Sequence, residues 1–336
     1  MKTLNLNKII LLTTLFLAAI AFSNSANALC VVNGAGAIVI AADGSGNSTA
    51  PVKGDTTLYD TEGNVDYTAN TATTDCGITP DTYKLNLYKM GLCTADPDLN
   101  DLTSCQMFFE SAAGIELDIQ AGVSATLDIP EFSIDPGTYP FVYVLLSNKL
   151  GMQWSGRMSA AVDGSSGDGN GGTYCWTSNA GLYPTAFQNN SGDAVATVHG
   201  TSLTGGAKNM DCGTSEGTVV FAYEVITRFS DAYCSANLGD NGDKNSFEKE
   251  GTGSSRGTPT VNLLTTADVF ATTCQTAAKI AWTTELDTSY TVTEDSTFAM
   301  SVKATDANSL EFSNGNDNDI IKISSGAPKI FLSVTD

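Results

Sequence analysis

The chain has 336 residues and a formal net charge of −21, with 37 acidic against 16 basic side chains. This balance excludes a nucleic-acid binder, because contacts with phosphates require a basic surface. Charged residues make up only 16% of the chain and hydrophobic residues 42%, so the acidity does not come from a disordered acidic tail. We therefore expect an acidic protein with a buried core.

Residues 1–28 have the three parts of a bacterial secretory signal. Two lysines provide a positive start, residues 9–22 form an apolar stretch, and Ala26-Asn27-Ala28 supplies the small residues that precede a cleavage site. The apolar stretch is too short to span a bilayer, and we expect no transmembrane segment in the mature chain. We predict cleavage after Ala28 and export to the periplasm, the cell surface or the extracellular space.

All eight cysteines follow the predicted cleavage site, and their even number in an oxidising compartment favours four disulfides. No C-x-x-C motif is present and the chain has one histidine, which argues against a zinc site. The sequence alone does not choose among the many pairings. Proximity favours Cys93 with Cys105, on either side of a polar excursion between two apparent strands. The remaining working pairs are Cys30 with Cys76, Cys175 with Cys212, and Cys234 with Cys274.

The dominant pattern after residue 80 is the period-two alternation of half-buried β-strands, as in residues 83–88 and 115–120. The runs 139–146 and 219–226 are apolar on both faces, so we expect central strands with both faces covered. Turn signals such as Asp135-Pro136-Gly137 separate these strands. The pattern predicts an all-β protein of one or two disulfide-stapled antiparallel β-sandwich domains.

The length of the chain exceeds that of one ordinary sandwich, and a Gly/Ser-rich stretch divides it. We expect a β-sandwich domain at 29–162, a loop or linker at 163–172 and a second β-rich domain at 173–336. The best helix candidate is Thr265 to Lys279, although its many threonines argue against a helix.

Two segments carry a resemblance to known proteins. Gly91-Leu-Cys-Thr-Ala-Asp-Pro97, followed by Cys105 and by Asp135-Pro-Gly-Thr-Tyr-Pro-Phe-Val-Tyr-Val144, resembles a region of uncharacterised exported bacterial β-rich proteins over about residues 75–160. The Pro-Gly-Thr-Tyr entry is also similar to the strand entry of transthyretin-like and other immunoglobulin-like surface modules. The resemblance implies export and a sandwich fold, and it transfers no catalytic residues.

Two features look catalytic at first sight. Gly213-Thr-Ser215-Glu-Gly217 matches the G-x-S-x-G nucleophile elbow, but a strand follows the serine and the lone His199 precedes it, the reverse of the order that the elbow needs. We interpret these residues as a hairpin loop and a turn residue. Glu224 interrupts a two-faced apolar run, and a buried glutamate can act as an acid, although such residues more often lie at a sheet edge or pair with a cation. We therefore predict a non-enzymatic protein.

Calcium is the cofactor that the acidic loops favour, because hard cations bind several oxygen ligands on flexible loops. The candidate stretches are residues 163–170, 240–245 and 316–319, none of which has EF-hand spacing. The candidate ligands are Asp240, Asp243, Asp317 and Asp319. The alternative is that these Asp, Asn and Gly residues simply form turns.

Export, stapled β-modules and acidity together favour a surface or extracellular protein that acts in adhesion or assembly. A specific form is strand addition, in which an exposed sheet edge accepts a segment of a neighbour, and residues 31–42 and 328–334 are the strands that suit it. Both could equally be ordinary strands of their own sheets. The competing function is a glycan- or small-molecule-binding module, with or without calcium, in which Trp154, Trp176 or Trp282 would stack on sugars. The expected partner is an extracellular glycan, another protein or a second copy.

Overall fold

The structure is a computed structural model. It describes residues 18–21, 29–42, 49–51, 75–97, 101–127, 134–164, 171–178, 182–184, 199, 209–226, 245–246, 260–271, 276–305, 307–312, 320–325 and 328–335. This part of the chain is all-β, as the alternation predicts. Within it, no helix is long and apolar enough to cross a membrane.

The strands are short at both ends of the chain and longest in the middle. In chain order they are β1 (Ala18–Ala21), β2 (Ala37–Ile38), β3 (Ile40–Ala42), β4 (Thr49–Pro51), β5 (Asp75–Ile78), β6 (Thr82–Cys93), β7 (Cys105–Gln120), β8 (Ala125–Leu127), β9 (Gly137–Ser147), β10 (Lys149–Gln153), β11 (Ser155–Val162), β12 (Gly172–Thr177), β13 (Leu182–Pro184), β14 (Met210–Gly213), β15 (Ala222–Val225), β16 (Asn245–Ser246), β17 (Thr260–Leu264), β18 (Lys279–Val292), β19 (Thr297–Lys303), β20 (Asn308–Phe312), β21 (Ile320–Ser325) and β22 (Lys329–Thr335).

These strands form one large sheet and four smaller ones. The nine-stranded sheet has the order β13-β15-β10-β6-β9-β18-β17-β16, and β7 pairs with β6 outside this path. The smaller sheets are β1-β22-β19-β8, β14-β12-β11-β2, β21-β20-β5 and β3-β4. Pairing between named strands is antiparallel except for β2 with β11 and β13 with β15.

The middle of the large sheet is apolar on both faces. In β9, Val142, Val144 and Leu146 belong to the larger hydrophobic core. Tyr143 and Leu145 belong to a second cluster. Because successive side chains of a strand point to opposite faces, this division confirms the expectation of a central strand covered on both faces.

The second two-faced run gives a different result. In the segment 219–226, Ala222 and Glu224 are buried, whereas Phe221 and Tyr223 are only half-buried on the opposite face. Strand β15 is the second strand from one end of its sheet, and its outer face is only partly covered. Val225, on the same face as Tyr223, is fully buried. The expectation of full cover on both faces therefore holds at Val225 but is wrong at Phe221 and Tyr223, because apolar composition does not determine how near the sheet edge a strand lies.

Strands β6 and β7 form a long hairpin that carries the predicted alternation. Tyr83, Leu85 and Leu87 are buried, while the residues between them are partly exposed. The pattern in β7 is weaker, because Leu117 is buried but Ile115 is exposed. The register shifts between Leu87 and Lys89, opposite this part of β7, and such a bulge redirects the side chains beside it.

Three of the four expected disulfides lie among the described residues. They are Cys30–Cys76, Cys93–Cys105 and Cys175–Cys212. The Cys93 and Cys105 pair closes the β6–β7 hairpin, and Cys175–Cys212 links directly opposed residues of β12 and β14. The chain-entropy argument gives each bond about 2 to 4 kcal/mol of stabilisation. Cys234 and Cys274 lie outside the described residues.

The segment from Thr265 to Lys279, the best helix candidate in the sequence, is not a helix in its described part. Residues 265–268 form a tight turn, in which the Thr265 amide donates to the Val269 carbonyl at 2.7 Å. Asp268 has a φ of 60°, in the left-handed region, and Lys279 already belongs to strand β18. The β-branched threonines favour this turn and strand over a helix, as their low helix propensity suggests.

Sheet pairing extends across the Gly/Ser-rich stretch at 163–172. Strand β9 pairs with β18, and β10 pairs with β15, so residues from both sides of that stretch lie in one sheet. The larger core also combines residues of both halves, for example Met158 and Met300. The sheets therefore do not follow the expected division into 29–162 and 173–336.

Candidate functional site

The residues that could bind calcium lie outside the described part of the chain. This applies to Asp240, Asp243, Asp317 and Asp319, so calcium binding by these loops stays a prediction. Among the residues that the structure does describe, no group of three or more His, Cys, Asp or Glu side chains could hold a metal ion.

The two residues of the apparent hydrolase motif occupy different environments. Ser215 is exposed in the segment that follows β14 and leads to β15. His199 is half-buried, and its Nε2 lies 2.7 Å from Oδ1 of Asn148. The imidazole therefore interacts with a buried amide at the junction of β9 and β10.

Asn148 determines the tautomer of His199. The Asn148 amide nitrogen donates to the carbonyls of Ile226 and Ala277, so its Oδ1 is the acceptor and His199 Nε2 is the donor. Burial, together with the smaller effect of the positive charge of Lys149, lowers the pKa of His199 from the ordinary 6.5 to about 4. The ring is thus neutral at pH 7. Asn148 links this histidine to Ile226, directly after β15, and to Ala277, before β18.

Glu224, the acid that interrupts an apolar run, is buried as a residue of β15. Its Oε2 accepts hydrogen bonds from the backbone amide of Ser325 and from Ser325 Oγ, the latter at 2.7 Å. Burial raises the pKa of the nearby Tyr83 well above its usual range, and the Glu224 charge adds to this effect. The carboxylate therefore holds the end of β21 against the large sheet.

The three tryptophans that were candidates for sugar stacking are buried. Trp154, Trp176 and Trp282 are 6%, 9% and 1% exposed, respectively. Gly156 lies so close to the Trp154 ring that a Cβ there would clash with it, and Gly217 has the same relation to Trp176. The indole faces are covered by the protein itself, so in this structure no tryptophan offers an open platform for a sugar ring.

The outer face of β15 and β10 carries aromatic rings beside lysines. Phe221 and Tyr223 stack with centroids 6.1 Å apart. The ammonium groups of Lys84 and Lys149 lie 4.7 Å from the Phe221 centroid and 4.3 Å from the Tyr223 centroid. Lys84 also pairs with Glu116 at 2.9 Å. Cation–π and ion-pair contacts thus cover this part of the sheet with side chains of the protein.

A second charged cluster fastens the turn at 265–268 to the sheet. Lys89 Nζ lies 3.0 Å from Glu110 and 3.2 Å from Asp268, and Lys279 Nζ lies 2.5 Å from Asp268. Burial beneath this cluster raises the pKa of Tyr143, and the charges of Asp268 and Glu110 raise it further. Each of these four charged side chains has an oppositely charged partner in the cluster, so we interpret the cluster as a contact that stabilises the fold.

The segment 31–42, one of the two candidates for strand addition, belongs to the protein's own sheets. Strand β2 pairs parallel with β11, and β3 pairs with β4. The disulfide Cys30–Cys76 ties the start of this segment to β5. Cleavage at the predicted position leaves only Leu29 before that disulfide, so this end has no free strand to donate.

The second candidate, near the C-terminus, lies at a sheet edge that, among the described strands, only β1 of the predicted leader covers. Strand β22 pairs on one side with β19 over all seven of its residues. On its other side it pairs with β1, from Lys329 opposite Ala21 to Leu332 opposite Ala18. Because β1 lies within the predicted leader 1–28, cleavage after Ala28 would remove the only strand on that side in the described structure.

No protein-family model, curated protein or solved structure matches this chain. The candidate site therefore depends on the geometry of the sheet edge alone. Sequence reasoning identified the strand at 328–334 as suited to strand addition, but it did not predict the pairing with Ala18–Ala21. The segment Ala-Ala-Ile-Ala carries no strand signal of its own, because alanine is depleted in strands.

Proposed function

We propose that the protein is an exported, non-enzymatic component of the bacterial surface or the extracellular matrix that acts by assembly through strand addition. The observation that carries the proposal is the pairing of β22 with β1. The edge of β22 is occupied by a strand that signal cleavage would take away.

Export is supported by the leader and by the disulfides. Residues 1–28 have the charge, apolar and small-residue parts of a secretory signal. Two disulfides of the described structure join strands and a third ties Cys30 to β5, and such bonds persist in oxidising compartments. Cys30 is the second residue after the predicted cleavage site, so the mature chain would be fastened to the fold by a disulfide one residue from its start.

Strand capture is supported by the chemistry of an open edge. Unpaired N–H and C=O groups of an edge strand bind a further strand through main-chain hydrogen bonds. Soluble proteins usually blunt such edges with prolines, bulges or charges. The sequence of β22, Lys-Ile-Phe-Leu-Ser-Val-Thr, has high β-propensity, no proline and a single charge at its start.

The test uses the mature chain starting at Leu29 and a peptide with the leader sequence 16–22 flanked by lysines. Sedimentation velocity over a range of protein concentrations should reveal reversible association, because the edge is open in every molecule. The leader peptide should dissociate these assemblies by occupying β22. A control peptide has proline at positions 19 and 20. Consecutive N–H groups point to opposite sides of a strand, so this pair of prolines removes one that faces β22.

Two results would overturn the proposal together: a protein that stays monomeric at the highest soluble concentration, and a leader peptide that binds no better than its proline control. If the lysine flanks alone changed the association of the protein, the leader peptide and its proline control would change it equally. The control therefore separates main-chain pairing from charge attraction to this acidic protein.

A further inference from the structure

The occupant of the β22 edge in the mature protein can be inferred from the direction and register of the strand. We propose that it is β22 of a second copy of this chain, paired antiparallel about a two-fold axis at Leu332. This inference rests on the proposed function and names its partner.

The direction of pairing supports a second copy. Strand β1 binds β22 antiparallel, so the edge accepts an antiparallel strand in the described structure. Two identical strands related by a two-fold axis perpendicular to the sheet are necessarily antiparallel, and such an interface uses the same surface on both molecules. The edge and its partner are then one and the same element, and no other donor strand is required.

The register supports the same partner. Strand β22 has seven residues, and Leu332 is its central one. With Leu332 opposite its copy, Phe331 lies opposite Ser333, Ile330 opposite Val334, and Lys329 opposite Thr335. Every residue of the strand finds a partner within the other strand, and the two lysines lie at opposite ends. Like charges directly opposite each other, which destabilise a ladder, are avoided.

The size of the sheet also favours the pairing. Without β1, the sheet β22-β19-β8 has three strands, and β8 contributes only three residues, Ala125–Leu127. Two copies joined along β22 form a six-stranded sheet, which is close to the usual size in globular proteins. The edges of the combined sheet are then the short β8 strands, which offer little room for further addition.

The test is a comparison of single-cysteine variants in the mature, disulfide-bonded protein. Leu332→Cys places two thiols directly opposite each other, with Cβ atoms about 5 Å apart. Lys329→Cys is the matched control in the same strand, where the two thiols would lie about 20 Å apart along the strands. A short bismaleimide should cross-link Leu332→Cys at least about tenfold more than Lys329→Cys, because only the central pair is held at high effective concentration.

Each variant is checked for its melting temperature and for the absence of free thiols other than the new one. Amide hydrogen exchange of the unmodified mature protein adds a readout without mutation, since the amides of residues 329–335 that point away from β19 should become protected as concentration rises. Association without preferential cross-linking at position 332 would overturn the second-copy pairing and leave strand addition by another segment in place. Absence of association would overturn the proposed function as well.

Discussion

His199 donates a hydrogen bond to Asn148 across 2.7 Å, from a ring that is half-buried to an amide that is fully buried. The Asn148 nitrogen is committed to two backbone carbonyls, so the acceptor role of its oxygen is determined by the fold. Protonation of His199 would place a charge in this site, beside Lys149. This relationship couples the stability of the protein to pH.

We expect the free energy of unfolding to fall as the pH is lowered from about 6.5 to about 4. Burial lowers the pKa of His199 to about 4 in the folded protein, whereas the unfolded chain titrates near 6.5. Within this window the unfolded chain binds a proton that the folded protein does not, so acid favours unfolding. Because part of the ring is exposed to solvent, the free energy of unfolding should fall by only about 1 to 2 kcal/mol over this window.

The measurement is urea unfolding at several pH values for the wild type and for His199→Gln. Asp81, whose pKa is raised by burial, titrates in both proteins, so the difference between the two profiles reports on the histidine. The variant should have a flatter profile than the wild type between pH 6.5 and 4. Identical slopes would contradict the role of His199.

A second prediction concerns the hydrogen bond from Ser325 to the buried Glu224. Ser325→Ala removes an O–H donor to Oε2, and we expect a loss of about 1 to 3 kcal/mol, as is usual for bonds to charged groups. The matched control is Ser324→Ala, whose hydroxyl donates to the Ser309 carbonyl over a long 3.5 Å and should cost less. Chemical denaturation of both variants provides the comparison, and equal losses would count against a special role of Glu224.

The disulfides make a third prediction. A non-reducing peptide map of the mature protein should contain Cys30–Cys76, Cys93–Cys105 and Cys175–Cys212 as linked peptides. With Cys234 and Cys274 paired as well, reduction should raise the intact mass by about 8 Da. Replacing Cys93 and Cys105 by alanine should lower the free energy of unfolding by about 2 to 4 kcal/mol. Any other partner found for one of the six described cysteines would refute that pairing.

The acidic loops make a fourth prediction. If Asp317 and Asp319, or Asp240 and Asp243, bind calcium, a hundredfold excess of the ion over its dissociation constant should add about 2.7 kcal/mol of stability. Melting should then shift upwards with calcium but not with magnesium at equal ionic strength, and Asp317→Asn with Asp319→Asn should reduce the shift. Equal melting temperatures in calcium and in EDTA would identify these residues as turn formers.

The all-β class could be predicted from the sequence because alternation is a local property. Residues 83–88 repeat every second position, and the strand period is fixed by the covalent chain. The hairpin disulfide Cys93–Cys105 was also predictable, because its two cysteines are twelve positions apart and close the loop between paired strands. The threonines of 265–279 argued locally against a helix despite a weak helical period, and the described part of that segment contains the turn at Asp268 and the start of β18 at Lys279.

The candidate site required the tertiary structure. The sequence by itself determined the strand content and the β-propensity of Lys329–Thr335 and predicted a leader at 1–28, all of which depend on neighbouring residues. Which strand lies beside β22 depends on pairings between residues more than three hundred positions apart, as with Ala18 and Leu332. Backbone hydrogen bonds carry no information about side-chain identity, so a strand's neighbours are decided by the topology of the whole sheet. Only the fold, therefore, showed that the edge of β22 pairs with a strand of the predicted leader.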